Sequence, residues 1–407
     1  YEIWYWNWNE TDPYESMRMI SGFFGQEELE RRRWQNNNAL SLMKAKIDKK
    51  IIDRDYQIEA VKKILDGIHV GKRKFLIVQA TGTGKTRVAM ALIKALQDSR
   101  KIEKVLFLTD RKALRDQAFN DGFKTFFPNE SRQKVFSGKV SNTTNLYAST
   151  IQTFMECYQE FDPGYFDLII SDEAHRSIYN KWRDVFTYFD AIQVGLTATP
   201  SDIIEKDTFR FFECKDKSPT FVYTYEQAVK DDWLADFKVQ SALTNFQIEG
   251  ISPKDIPQGI KDKLSQEGIL EDSLFFEGTD IEKKVSITGT NEAIVEEFMK
   301  NCLMDATGTL PAKSIIFAVS KKHAKGLYEA FEKLYPEYKS KLVEVITSED
   351  PRADELLDDF RKKNFPRIAI SVDMLDTGID VAEVCNLVFA KPVFSKIKFW
   401  QMIGRGT

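Results

Sequence analysis

The stretch KFLIVQATGTGKTRVAMALIKALQ, Lys74 to Gln97, constrains this chain more than any other. KFLIVQ has the length and bulk of a strand buried on both faces, and TRVAMALIKALQ has helical spacing. Between them, ATGTGKT (Ala80 to Thr86) places Gly82 and Gly84 where the backbone can turn its N–H groups inward. The helix start adds the positive end of its dipole, so the loop favours a phosphate. Thr81, Gly82, Thr83 and Gly84 are then its cradle, Lys85 reaches the β- and γ-phosphates, and Thr86 ligates Mg²⁺. One position departs from G-x-x-x-x-G-K-[ST], because Ala80 stands at the first glycine.

The same alternation continues along the chain. KVLFLT (104–109), FDLIIS (166–171) and IQVGLT (192–197) are further buried strands, separated by helical patterns such as RKALRDQAF. A second series follows with KSIIFAV (313–319), KLVEVIT (341–347), RIAISV (367–372) and CNLVFA (385–390). Buried strands alternating with helices predict parallel, doubly wound α/β sheets, whose ligands sit beyond the carboxyl ends of the strands. The chain is read as an N-terminal strand/helix junction (1–45), a first lobe (46–235), a linker (236–290) and a second lobe (291–407). In the junction, Trp4, Trp6 and Trp8 alternate as in a strand, QEELERRRW reads as a charged helix and NNN as a loop.

Chemistry-bearing residues fall after the strands. In DEAH (Asp172 to His175), Asp172 suits a metal-holding carboxylate and Glu173 the group that polarises attacking water. Upstream, RDYQ places Arg54 and Gln57 one helix before the phosphate loop, and a glutamine amide matches the N6/N7 edge of adenine. Tyr56 reads as core. GLTATP places Thr197 and Thr199, with His175, where they would couple the nucleotide site to whatever the lobe moves. FLTDRKALRDQA and ASTIQTF put Arg111, Lys112, Thr150 and Gln152 past strands, where they suit sugar–phosphate contacts or simple capping and surface roles. Ser320, Lys321 and Thr347 hold the same places in the second half. There, SVDMLDTGIDV supplies Gly378 and Asp380, and QMIGRG supplies Gln401 and Arg405; an arginine brought across a cleft would stabilise charge on the γ-phosphoryl group.

Composition excludes several classes. A net charge of −4 gives no global pull toward nucleic acid, so any such surface must be local, as in SKKHAK (320–325) or KKNFPR (362–367), each also readable as a solvated helix face. Four scattered cysteines and three histidines argue against zinc or disulfide frameworks and for a reducing interior. No apolar run approaches the ~18 residues of a membrane span, and the N-terminus lacks a signal pattern, so a soluble cytoplasmic protein is expected.

RDYQ, ATGTGKT, FLTDR, STIQTF, DEAH, LTATP, the 371–381 stretch and QMIGRG, in this order, resemble the motifs of superfamily 2 helicase-type ATPases. Within them, RDYQIEAV, VLFLTDRKALRDQA, YTYEQAVKDDWLADF, FEGTDIEKKV and FWQMIGRGT are similar to the motor (R) subunit of type I restriction enzymes. The resemblance implies two tandem RecA-like lobes with an ATP cleft between them. It also implies ATP-driven translocation on double-stranded DNA and assembly with methyltransferase and specificity subunits. No nuclease site is found in this chain, and the family's later helical domains are absent from it, so a motor core is expected. The family pattern continues Q-x-x-G-R-x-x-R, which places a second arginine after Thr407; a chain cut there is expected to bind ATP but hydrolyse it poorly. The rivals are a strand-separating DNA or RNA helicase and an ATP-gated nucleic-acid clamp with little turnover. An ATPase that does not act on nucleic acid is the weakest.

Overall fold

A computed structural model describes the chain except residues 1, 6–16, 137–139, 142, 175–182, 199–205, 241–289, 339–340, 348, 373, 376–380, 382, 392, 394–395 and 407. Trp6, Trp8, His175, Thr199, Gly378, Asp380 and the FEGTDIEKKV stretch therefore lie outside the described residues. The described chain forms two compact units, Tyr1–Leu234 and Ala235–Thr407.

The first unit opens with an antiparallel pair, β1 (Ile3–Tyr5) and β2 (Arg18–Ile20), in which Trp4 faces Met19. Helix α1 (Gln26–Asn38) follows. NNN, expected as a loop, instead closes α1, because Asn38 Nδ2 donates to the Trp34 carbonyl and the helix is pinned by its arginines. Arg31 pairs with Asp167 at 3.4 Å and Arg32 with Asp190 at 2.8 Å. Asp190 also receives Arg73 at 3.1 Å and Arg18. Burial pushes the Asp190 carboxyl up, but Arg73, Arg18 and Arg32 together overcome that and hold it well below the usual carboxylate range.

The core of this unit is a seven-stranded sheet. After α2 (Asp55–His69) come β3 (Lys74–Gln79), α3 (Lys85–Asp98), β4 (Val105–Thr109), β5 (Arg132–Lys134), β6 (Leu146–Thr150), β7 (Leu168–Asp172), β8 (Ile192–Thr197) and β9 (Phe221–Tyr223). Their spatial order is β5-β6-β4-β7-β8-β3-β9 and every pairing is parallel. The continuous apolar runs are explained by burial on both faces. Phe75 and Ile77 join one core cluster with α2 and α3, while Leu76 and Val78 join another on the opposite face. All strand carboxyl ends share one edge. In register there, Val78 pairs with Thr197, Leu196 with Asp172, and Thr109 with Thr150.

The second unit carries a four-stranded parallel sheet, β11-β12-β10-β13, built from β10 (Lys313–Ala318), β11 (Val343–Val345), β12 (Ile368–Ser371) and β13 (Val384–Ala390). Helices α4 (Thr290–Asn301) and α5 (Lys321–Leu334) cover one face. Leu357 and Phe360 of α6 (Ala353–Lys362) and Met402 of α7 (Lys396–Ile403) join the core on the other. At the start of β10, Lys313 is 1% exposed. Its ammonium donates to the carbonyls of Phe360, Lys363 (2.7 Å) and Pro366 (2.9 Å), which satisfies the end of α6 from below. No helix among the described residues is long and apolar enough to cross a membrane.

Candidate nucleotide and metal site

Strand β3 ends at Gln79 and the chain enters the phosphate loop. Gly82 (φ 80°) and Gly84 (φ 86°) both take left-handed backbone, which L side chains rarely adopt. A Cβ on Gly84 would also lie 2.6 Å from Gln57 Nε2, so glycine is required there twice over. The loop turns around one atom, the main-chain carbonyl oxygen of Thr83. Tyr56 Oη donates to it at 2.8 Å, Gln57 Nε2 at 2.9 Å and Gln79 Nε2 at 3.0 Å. The Thr83 hydroxyl itself donates to the Ala80 carbonyl at 2.6 Å. In a trans peptide the carbonyl of Thr83 and the N–H of Gly84 point in opposite directions, so holding the first inward aims the second outward. Val88 N–H, one turn on, already bonds Gly84 O, and α3 starts with Lys85 and Thr86 at its N-terminus.

Two strands away across β8, β7 ends at Asp172, which is 6% exposed. Burial pushes its carboxyl well above the usual carboxylate range, the Glu173 charge adds to that push, and Lys85 pulls it back down. Lys85 and Asp172, 87 positions apart in sequence, thus act on each other electrostatically. Lys85 Nζ also donates to the Gln79 carbonyl at 3.4 Å. Glu173 takes a left-handed backbone (φ 53°), and its N–H returns to Asp172 Oδ1 at 3.1 Å. Such strain at a carboxylate pair is characteristic of working sites. Thr197, buried at the end of β8, lies in the adjoining register.

These residues fit a nucleotide triphosphate with Mg²⁺. Gly82 and Gly84 hold the left-handed backbone that turns the loop toward an anion, the buried Asp172 carboxyl is pushed up by burial and by Glu173, and Gln79 Oε1 finds no hydrogen-bond partner among the described residues. Thr86 and Asp172 are the groups that would hold the metal.

Other sequence candidates take more ordinary places. Gln57, read as an adenine reader, is 3% exposed and its amide nitrogen is engaged with Thr83. Arg54 Nη1 donates to Tyr56 Oη at 3.0 Å, and its guanidinium lies 4.2 Å from the Trp233 ring centroid. Arg111 pairs with Asp110 at 3.8 Å, while Lys112 and Gln152 are exposed. Thr150 is buried and caps the helix Ile151–Phe154, accepting from Thr153 N. Ser320 caps α5 through His323 N, Lys321 pairs with Glu349, and the Thr347 carbonyl accepts from Asp350 N. In the basic clusters Lys362 pairs with Asp358, Lys363 with Asp359 and Arg367 with Asp305, so three cations of KKNFPR are neutralised within the fold. Gln401 is buried on α7, and Arg405 follows in a tight turn whose N–H bonds Met402 O. Gln79 is absent from the sequence candidates, although a glutamine ending a buried strand directly before the loop was a signal, and Tyr223 and Trp233 enter there only within YTYEQAVKDDWLADF, without a role.

The described geometry is that of a phosphate loop beside a strand-end carboxylate pair on a parallel sheet. The "Type III restriction enzyme, res subunit" family matches residues 50–202, and the "Helicase conserved C-terminal domain" family matches residues 295–407. The chain belongs to the superfamily 2 helicase-type ATPases. Within them it is similar to endonuclease subunits of type I restriction enzymes. It is 31% identical to the Escherichia coli K12 EcoKI endonuclease subunit over 87% of this chain and 33% of that one. It is 30% identical to the E. coli EcoAI endonuclease subunit over 87% of this chain and 44% of that one. The chain therefore spans less than half the length of these two relatives. A solved fragment of a putative HsdR subunit of a type I restriction enzyme from Vibrio vulnificus superposes with a TM-score of 0.65 at 26% identity, covering 100% of this chain and 70% of that one. The superfamily membership agrees with the two parallel sheets of the fold. A putative mitochondrial ATP-dependent helicase of Schizosaccharomyces pombe is 26% identical over 87% of this chain and 54% of its own length.

Proposed function

We propose that this superfamily 2 ATPase is the motor part of a type I restriction endonuclease subunit and moves along double-stranded DNA by hydrolysing ATP. The observation that carries the hydrolytic half is the inward-locked Thr83 carbonyl, which presents the loop to phosphate across β8 from the Asp172–Glu173 pair. The DNA-motor half is supported by similarity that runs through both sheets to restriction endonuclease subunits.

Lys85 neutralises the β- and γ-phosphates, and Glu173 orients the attacking water for in-line displacement. Thr86 and Asp172 would hold Mg²⁺, which would offset the charge that develops on the phosphoryl group. Arg405, with Gln401, is assigned to stabilising charge on the γ-phosphoryl group, and Gly378 and Asp380 to contacting the nucleotide. Gln57 keeps Oε1 for the adenine N6 amine while its nitrogen holds the loop. His175, Thr197 and Thr199 couple the nucleotide state to DNA. In the first unit, exposed Lys112 and Gln152 with Arg111 are the DNA contacts, Thr150 serving mainly as a cap; in the second, Ser320, Lys321 and Thr347 are the corresponding ones. The partners on this reading are a methyltransferase and a specificity subunit.

The second reading is a strand-separating helicase, favoured by the match to the S. pombe helicase. ATP hydrolysis measured with no nucleic acid, single-stranded DNA, duplex DNA and RNA is the first test, and duplex DNA should stimulate most. Triplex displacement without release of a labelled duplex strand identifies translocation. Strand release supports the helicase, and nucleotide-dependent DNA affinity with negligible turnover supports a clamp.

A further inference from the structure

The segment YTYEQAVKDDWLADF supplies none of the groups assigned above to phosphate, metal or water, yet it is packed against the phosphate loop. Its strand β9 pairs with β3, and the Tyr223 carbonyl accepts from Ala80 N, the first residue of the loop, at 3.0 Å. The Tyr223 ring stacks on Tyr56 at 3.9 Å with an interplanar angle of 8°, and its hydroxyl donates to Asp231 at 2.9 Å. After the helix Tyr225–Lys230, Asp232 turns the chain through a left-handed backbone (φ 59°). Trp233 N and Leu234 N then both return to the Ala228 carbonyl. That strained turn sets Trp233, a 44% exposed indole, over the Arg54 guanidinium.

From Trp233 a chain of contacts runs to the loop. The indole face holds the guanidinium of Arg54 by cation–π attraction. Arg54 Nη1 then donates to the lone pair of Tyr56 Oη. A phenol that accepts from a cation on one side must turn its own proton to the other, and the acceptor there is the Thr83 carbonyl, at 2.8 Å. Fixing that carbonyl inward is what aims the Gly84 N–H outward.

We infer that Trp233 is a positioning residue for the nucleotide site, acting through Arg54 and Tyr56 on the Thr83 peptide. The inference rests on the ATP-hydrolysing reading of the loop and deepens it. Its ligand class is any nucleotide carrying a β-phosphate, because the peptide being held serves phosphate rather than base.

The test measures equilibrium binding of ADP, together with KM and kcat for ATP, in the full-length chain. Trp233→Ala should raise the ADP dissociation constant and the KM for ATP about 5-fold, with kcat at saturation within about 2-fold. Trp233→Phe, which keeps a ring under the guanidinium, should recover most of that loss. Trp233→Ala combined with Arg54→Ala should bind ADP no more weakly than Arg54→Ala alone, since both cut one chain. A purely structural role would lower the fraction of active protein and its melting temperature, without moving the dissociation constant of what remains. Unchanged ADP affinity in Trp233→Ala, or effects of the two substitutions that multiply, would overturn the proposal. Should Trp233→Ala fail to fold, Arg54→Met with the indole intact carries the same expectation and the same refutation. Failure of the underlying reading looks different: the unmodified chain would bind neither ADP nor ATP, or Lys85→Ala would turn over ATP normally.

Discussion

Arg32 grips Asp190 twice: Nη1 donates to the carboxylate at 2.8 Å and Nη2 to the main-chain carbonyl at 2.8 Å. Asp190 stands just before β8, at the end of the sheet opposite the nucleotide site, and Arg18 and Arg73 share the same carboxylate. Residues 18–38 are thereby an integral brace of the first unit.

Asp190→Asn should destabilise that unit by about 2–4 kcal/mol, because it removes the buried carboxylate that three partly buried guanidiniums share. Denaturant melts of the intact chain check this, and limited proteolysis should cut within residues 18–38 faster. A loss below ~1 kcal/mol would mean that the three arginines find water instead.

Asp172 presents the opposite case. Its raised carboxyl means that the folded protein holds a proton up to a higher pH than the unfolded chain does. Its ionised form therefore costs stability, and the cost grows as pH climbs above the ordinary value of 3.8. Asp172→Asn should raise the melting temperature of the nucleotide-free protein at neutral pH, by about 1–2 kcal/mol in stability, while Mg²⁺-dependent hydrolysis falls by orders of magnitude. Glu173→Gln should retain ATP affinity yet stop turnover, and Lys85→Ala should abolish turnover. Loss of nucleotide affinity in Glu173→Gln would argue against its water-orienting role.

Gly84→Ala meets two obstacles, a φ of 86° and the Gln57 amide 2.6 Å from the added methyl. ATP affinity should drop at least ~10-fold. Pairing it with Gln57→Ala removes the second obstacle but not the first, so part of the affinity should return. Isothermal titration of the two variants against the parent decides whether the contact or the backbone dominates.

Lys313 links stability to pH in the second unit. Burial pushes its ammonium down to about 8 from an ordinary 10.5. Between those values the unfolded chain holds a proton that the folded one has released, so stability rises with pH across that window. Compared with Lys313→Met, the unmodified chain should gain up to roughly 1 kcal/mol per pH unit there. At neutral pH the same substitution leaves three carbonyls without their donor and should cost about 2–4 kcal/mol. Urea midpoints at pH 7, 8 and 10 for both chains provide the check.

Much of the fold could be read in advance because its causes are local. KFLIVQ, KVLFLT, FDLII and IQVGLT are apolar without alternation, and only a strand covered on both faces needs that pattern. The phosphate loop was equally legible, since two glycines, a lysine and a threonine between strand and helix serve one chemistry. The short strands β5 and β9 were not, because three residues carry too little pattern to separate from loop. KKNFPR stood open between phosphate contacts and a solvated helix face for a related reason. Composition records cations, but whether Asp358, Asp359 and Asp305 lie beside them is a property of folding.

Sequence by itself determined the chemistry available at each strand end: glycines and lysine after β3, a carboxylate pair after β7. Periodicity and residue type act within a few positions and survive any rearrangement farther away. Tertiary structure alone decided how those groups are aimed. Tyr56, Gln57 and Gln79 meet on one carbonyl of Thr83, and Trp233 reaches it through Arg54. Those contacts join parts of the chain up to 179 residues apart, Arg54 to Trp233, and a one-dimensional pattern holds no record of which distant side chains will share an oxygen atom.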